Sequence, residues 1–254
     1  IYIPNPKSNN STFIEDEELN AVNQFSSLSL SEEELRAIFE AKCNDFKLKF
    51  EEKAFQRFLQ RQSKHNSHKV IHLEGCGLGP TAASLLVDTI FLHSNIVAIS
   101  FSDNFLGDEG AKGFADLIYN TKHIISRDLS SNHMTDEGLK TIFTALCNNK
   151  SMYELNIGSK SSIGRNSIGP LTIAEISKML KVNQVLAELN LQMTELNSNN
   201  IRGLLSGFET NKTLTSLNLA NNHLKSKGAI SILKSLMKSS IAELYLSDNS
   251  IQDD

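Results

Sequence analysis

The chain has 254 residues, of which 40 % are hydrophobic and 21 % are charged, and its formal net charge at pH 7 is −4. This composition is ordinary for a soluble protein, and no apolar run approaches the roughly 18 residues that a membrane-spanning helix needs. The cysteines, Cys43, Cys76 and Cys147, are odd in number and lack the spacing of a metal site. We therefore expect free thiols in a reducing compartment.

The first segment, residues 1–27, is polar and acidic. It contains Pro4, Pro6, a cluster of Ser and Asn, and the acidic run 15–18. A stretch of this kind cannot bury enough apolar surface to fold alone. We predict an extended acidic N-terminal arm that is held by the rest of the chain or by a partner.

Residues 28–67 carry two helix signals. Ser31 and Glu34 have the spacing of a capping box, and Leu30 and Leu35 have that of a hydrophobic staple, so a helix is predicted to begin at Ser31. A second amphipathic helix is predicted over residues 50–62, where apolar residues recur at helical spacing. We interpret both as a helical cap on the segment that follows, with a separate docking motif as the alternative.

A single pattern recurs from residue 68 to the end of the chain. Its clearest copy places Ile99 and Phe101 on one side of a short strand, followed by Asn104 and Leu106. Positions 76, 104 and 132 are 28 residues apart, and so are 166, 194 and 222. A fixed period of this length is the signature of a solenoid. The asparagine position of the pattern holds Cys76, Asn104, Asn132, Asn166, Thr194, Asn222 and Asn249.

This pattern resembles the leucine-rich repeat, and its period is similar to that of the ribonuclease-inhibitor-like subfamily. The resemblance implies an α/β solenoid: a right-handed horseshoe with a parallel sheet on the concave face and helices on the convex face. The solenoid is predicted over residues 68–254 with an incomplete last repeat, which predicts that the chain is a piece of a longer protein. Convex helices are predicted at residues 81–92, 109–120, 137–148, 171–181, 199–210 and 227–238.

The asparagine side chains are expected to hydrogen-bond backbone groups of the turns and so to form a structural ladder. Cys76 and Thr194 should be weaker members of that ladder. A thiol or a hydroxyl cannot offer both donor and acceptor as an amide does.

Two places break the repeat. Arg127 stands where neighbouring repeats have Ile99 and Leu155, and we expect it to extend outward to solvent or to pair with a neighbour, because a bare guanidinium in a core is costly. The second break is a six-residue insertion before Asn166, which lies 34 residues after Asn132 rather than 28. We expect it to overhang the concave rim, either as part of a binding site or as tolerated surface variation.

The residues that alternate outward from the strands are small, polar and mildly acidic, and none of them is Lys or Arg. This charge disfavours nucleic acid as a partner. We predict a partner-binding site formed by Asp128, Glu154 and Glu188 with Lys160 and Arg165 of the insertion. The sequence contains no phosphate-binding loop, nucleophile elbow or zinc motif. We therefore expect no catalytic site, metal, cofactor, small-molecule substrate or membrane attachment.

The predicted function is a non-catalytic scaffold that binds another protein in the cytoplasm. The architecture is also similar to leucine-rich-repeat proteins of cilia and centrioles, such as the repeat subunit of the dynein regulatory complex. That similarity implies a place within a larger complex, in a cilium or another cytoskeletal assembly. The alternative is a GTPase regulator, since the Ran GTPase-activating protein shares this repeat type. A third option is the sensor region of a NOD-like receptor.

Overall fold

The computed structural model describes residues 30–65, 67–237 and 239–252. The predicted arm, residues 1–27, lies outside these ranges. The helices are α1 (Glu32–Asp45), α2 (Glu52–His65), α3 (Pro80–Leu92), α4 (Gly107–Asn120), α5 (Asp136–Leu146), α6 (Pro170–Val182), α7 (Leu205–Thr210) and α8 (Lys225–Leu236). The strands are β1 (Val70–His72), β2 (Ala98–Ser100), β3 (Ser126–Asp128), β4 (Glu154–Asn156), β5 (Glu188–Asn190), β6 (Ser216–Asn218) and β7 (Glu243–Tyr245).

The strands of the described residues form one parallel sheet in chain order, from β1 to β7. The register follows the repeat, so that Ile99 lies opposite Ile71 on one side and Arg127 on the other. The middle residue of each strand points into the core, and the first and third lie on the open side of the sheet, which we call the sheet face. Residues predicted to be in the core are at most 2 % exposed: Ile99, Phe101, Leu129, Leu155, Ile157, Leu189, Leu191, Leu217 and Leu219.

The two N-terminal helices lie against the first repeat, as a cap would. Glu34 N donates to Ser31 Oγ and Ser31 N donates to Glu34 Oε2, which completes the capping box of α1. Leu30 and Leu35 are buried, and α1 packs on α3. The second helix runs over Glu52–His65, slightly later than predicted.

The largest difference from the predicted helices lies at residues 199–210, where a 3-10 helix (Asn200–Leu204) precedes the short α7. Asn197 Oδ1 accepts hydrogen bonds from the backbone N–H groups of Asn199 and Asn200, which offers the chain a turn in place of a helix start. Gly203 also makes room for Ile173 here, because a Cβ at that position would lie 2.4 Å from Ile173 Cγ2 unless one of the two shifted.

Helices α3 and α6 begin with a Gly-Pro pair and take their N-terminal cap from an aspartate of the preceding unit. Asp136 accepts hydrogen bonds from the backbone N–H groups of Gly169, Leu171 and Thr172 at 2.8–3.0 Å. Burial alone would raise the pKa of Asp136, but these hydrogen bonds hold it below its usual value. A Cβ on Gly169 would lie 2.5 Å from Asp136 Cγ, so glycine makes room for the carboxylate. Asp45 caps α3 in the same way.

Arg127 differs from the first of the two outcomes predicted for it, exposure to solvent or pairing with a neighbour. Its side chain is 1 % exposed, so the expectation that it extends to solvent is wrong. Its Nη2 donates to Thr121 Oγ1 at 3.4 Å, but its Nε and Nη1 have no partner among the described residues. Burial lowers the pKa of this guanidinium to about 9. The cause is the register: as the middle residue of β3, Arg127 points into the core between Ile99 and Leu155.

Candidate functional site

The asparagine ladder runs along the turns at the carboxyl ends of the strands. Asn222 is 2 % exposed, and its Oδ1 accepts hydrogen bonds from the N–H groups of Thr194 and Leu196 in the preceding repeat, each at 3.0 Å. Its Nδ2 donates to three carbonyl oxygens, those of Leu191, Leu219 and Ala220. Asn104, Asn132, Asn166 and Asn249 make the same kind of contact with the turns on either side.

The two substituted positions of the ladder make fewer hydrogen bonds. Thr194 Oγ1 donates to the carbonyl oxygen of Leu191 at 2.7 Å. Cys76 Sγ contacts the carbonyl oxygen of Glu74 at 3.6 Å and accepts from Gln62 Nε2 at 3.4 Å. Burial raises the pKa of the Cys76 thiol, so it stays protonated near neutral pH.

A second asparagine ladder, absent from the prediction, runs along the opposite edge of the sheet, where the helices return to the strands. Asn183 Nδ2 donates to the carbonyl oxygen of Leu146 at 2.7 Å, and its Oδ1 accepts from the N–H groups of Val185 and Leu186. Asn149 and Asn211 repeat this arrangement. Their spacings of 34 and 28 residues match those of the first ladder, and this periodicity is the feature of the sequence that indicates the second ladder.

The predicted carboxylates lie on three successive strands of the sheet face but not in one row. Glu154 lies opposite Glu188 and Ser126, whereas Asp128 lies opposite Asn156. Asp128 Oδ1 accepts a hydrogen bond from Ser130 N, and the asparagines at the same position of β4, β5 and β6 make the equivalent bond. Asp128 therefore also holds a turn.

Glu154 and Glu188 belong to a row that continues through Ser216 to Glu243. The row borders a shallow depression of about 150 Å³, which Tyr245 also lines with a half-exposed ring. Glu154 Oε2 accepts a hydrogen bond from Ser126 Oγ at 2.8 Å, and none of the three glutamates forms an ion pair with another described residue. Carboxylates on the helix side differ, since Glu109, Glu137 and Glu175 each have a lysine three residues later as a partner.

The insertion lies along the rim of the sheet face. Lys160 N donates to Ser131 Oγ at 3.0 Å, and the carbonyl oxygen of Gly164 accepts from His133 N, so the loop runs beside the turn of the third repeat. Lys160 Nζ pairs with Glu74, in the turn after β1. Arg165 Nη1 pairs with Glu195 Oε1 at 3.0 Å. The structure thus brings both predicted cations into ion pairs within the chain.

The described parts of the chain contain no group of three or more His, Cys, Asp or Glu residues arranged to bind a metal ion. Within the same ranges, no helix combines the length and the apolar character needed to span a membrane.

The comparisons with known proteins address the fold. A family model described as Leucine Rich repeat matches residues 128–143 and 210–233. Both segments include a strand or its end, a ladder asparagine and part of the next helix. No curated protein sequence matches the chain.

Among solved structures, the chain is similar to actin-binding site 2 of leiomodin-1, with 23 % identity over 60 % of this chain and 88 % of that one, at a TM-score of 0.46. The repeat subfamily stays a prediction. The family model matches two of the repeats that build the parallel sheet and its ladder, and the described residues have the α/β solenoid fold of a leucine-rich repeat.

Proposed function

We propose that this protein is a protein-interaction scaffold whose sheet face binds a basic segment of a partner protein. A single observation carries the proposal: Glu154, Glu188 and Glu243 form a row of carboxylates without cationic partners among the described residues. A solenoid presents such a row on a rigid surface, so little ordering cost is added when a partner binds.

The kind of partner follows from charge and shape. A row of carboxylates attracts lysine and arginine side chains, and the half-exposed ring of Tyr245 offers a face on which a cation can stack. The parallel strands place their open positions at about 4.8 Å intervals along the row. An extended basic segment lying across the strands can therefore meet several carboxylates at once. The cytoplasmic location, the cytoskeletal assembly and the alternative of GTPase regulation stay predictions.

The double variant Glu154→Lys/Glu188→Lys tests this proposal with a labelled deca-arginine peptide as the probe. We expect roughly tenfold weaker binding at low salt, and a smaller difference above physiological ionic strength, because ionic screening weakens exposed charge pairs. Fluorescence anisotropy gives the affinity, and thermal melts show that each variant is folded.

The matched control is Glu109→Lys/Glu137→Lys, which changes the net charge by the same amount on the helix side. It should bind the probe more tightly than the sheet-face variant does. The same proteins then serve as baits in cell extract, where a genuine partner is retained by the parent and the control but lost by the sheet-face variant. Equal binding by both double variants would place the interface elsewhere.

A further inference from the structure

One part of the acidic surface of the solenoid forms an ion pair with a lysine of the same chain, whereas the glutamate row of the sheet face does not, within the described residues. Around the turns of the first three repeats, Lys160 Nζ contacts Glu74, which lies 86 positions away in the sequence. The hydrogen bond from Lys160 holds the pKa of Glu74 below its usual value. The same pair raises the pKa of Lys160, to which the nearby charges of Asp128 and Asp103 also contribute. One cation of the insertion thus pairs with Glu74, and the charges of Asp103 and Asp128 on the next two repeats also favour its charged form.

The backbone beside Lys160 is held by hydrogen bonds, whereas the side chains of the Lys160–Glu74 pair are exposed to solvent. The base of the insertion is fixed, because Ser159 N donates to the carbonyl oxygen of Gln192 and Ser159 Oγ accepts from Asn166 N. The side chain of Lys160 is 55 % exposed and that of Glu74 is 48 % exposed. Exposed ion pairs are weak and exchange readily. Arg61 donates to the carbonyl oxygens of Glu74 and Gly75, so a second cation stays near Glu74 when Lys160 leaves.

We infer that Lys160 is an internal competitor that occupies part of the partner-binding surface and is displaced when a basic partner binds. The inference rests on the proposed function, and it concerns the regulation of the same acidic surface. The partner's lysine or arginine side chain takes the place of the Lys160 ammonium among Glu74, Asp103 and Asp128. An extended segment of ten residues, roughly 33 Å long, is long enough to run from β7 to β1, since six strand intervals span roughly 29 Å.

The variant Lys160→Met tests this inference, because it empties the site without altering a carboxylate. We expect it to bind the deca-arginine probe roughly two- to fivefold more tightly than the parent, the range that corresponds to the loss of one exposed ion pair. The matched control is Lys112→Met, which removes a lysine of similar exposure from a helix-side pair. The control should bind the probe nearly as the parent does.

A second readout follows the displacement itself. Acetylation of lysine amines, quantified by mass spectrometry, should increase at Lys160 relative to Lys112 when the probe is added. The reason is that breaking the ion pair with Glu74 lowers the pKa of the Lys160 amine. Unchanged or reduced acetylation of Lys160 with bound probe would overturn the inference.

The two proposals fail in different ways. If Glu154→Lys/Glu188→Lys weakens binding but Lys160→Met binds as the parent does, only the competitor role is wrong. If the sheet-face reversal has no more effect than its helix-side control, the proposed function is wrong.

Discussion

Replacing Asn222 with alanine is expected to lower the free energy of unfolding by about 2–4 kcal/mol, since buried polar groups left without a partner each cost about 1–3 kcal/mol. The amide of Asn222 is the hydrogen-bond partner of backbone groups in two adjacent repeats, and an alanine methyl group replaces none of these bonds. The groups affected are the N–H groups of Thr194 and Leu196 and the carbonyl oxygens of Leu191, Leu219 and Ala220.

Urea denaturation followed by circular dichroism measures this loss. Asn148→Ala is the matched control, because Asn148 is an exposed asparagine just after α5. It should change the free energy of unfolding by less than about 0.5 kcal/mol. Thr194→Ala should cost less than Asn222→Ala, because the Thr194 hydroxyl donates a single bond to the Leu191 carbonyl oxygen. Equal stability of Asn222→Ala and the parent would contradict the ladder as a source of stability.

Replacing Arg127 with leucine is expected to raise the free energy of unfolding by about 1–4 kcal/mol, the range seen when buried charged groups are replaced by apolar ones. The variant removes a buried guanidinium that has two nitrogen atoms without partners in the described part of the chain. It also restores the apolar residue found at this position on both neighbouring strands. The loss is one long hydrogen bond to Thr121 Oγ1.

The stability gain from Arg127→Leu should depend on pH. Burial places the folded-state pKa of Arg127 at about 9, below its value in the unfolded chain. The unfolded state therefore binds more protons above that pH, and the parent gains stability there. Urea titrations should show the full difference between variant and parent at neutral pH and a smaller one at pH values above about 9.

Arg57→Leu, on the exposed side of α2, is the control. A destabilised Arg127→Leu would show that the guanidinium makes a favourable interaction in the core.

The core of this fold is predictable because its signal is periodic. Ile99 and Phe101 recur as apolar pairs at a fixed distance from the ladder asparagine, and the alternation of strand side chains then fixes which residues face inward. The same periodicity extends to Asn149, Asn183 and Asn211, so the second ladder is also predictable from the sequence.

Other contacts have no local signature. Asp136 caps a helix whose N–H groups lie 33–36 residues later in the chain. Lys160 reaches Glu74 across the turns of two repeats, and that contact depends on the path of an insertion that the repeat pattern leaves undefined. The burial of Arg127 follows from the register, which directs the side chain of the middle residue of β3 inward whatever the cost of burying a guanidinium.

Carboxyl footprinting of the parent protein, with and without the bound deca-arginine probe, tests most directly whether the sheet face is the binding surface. Carbodiimide labelling read by mass spectrometry reports each carboxylate separately. We expect binding to protect Glu154, Glu188 and Glu243 of the sheet face, while the labelling of Glu109 and Glu137 on the helix side stays unchanged. Protection of Glu109 and Glu137 with unchanged labelling of the sheet-face row would contradict it.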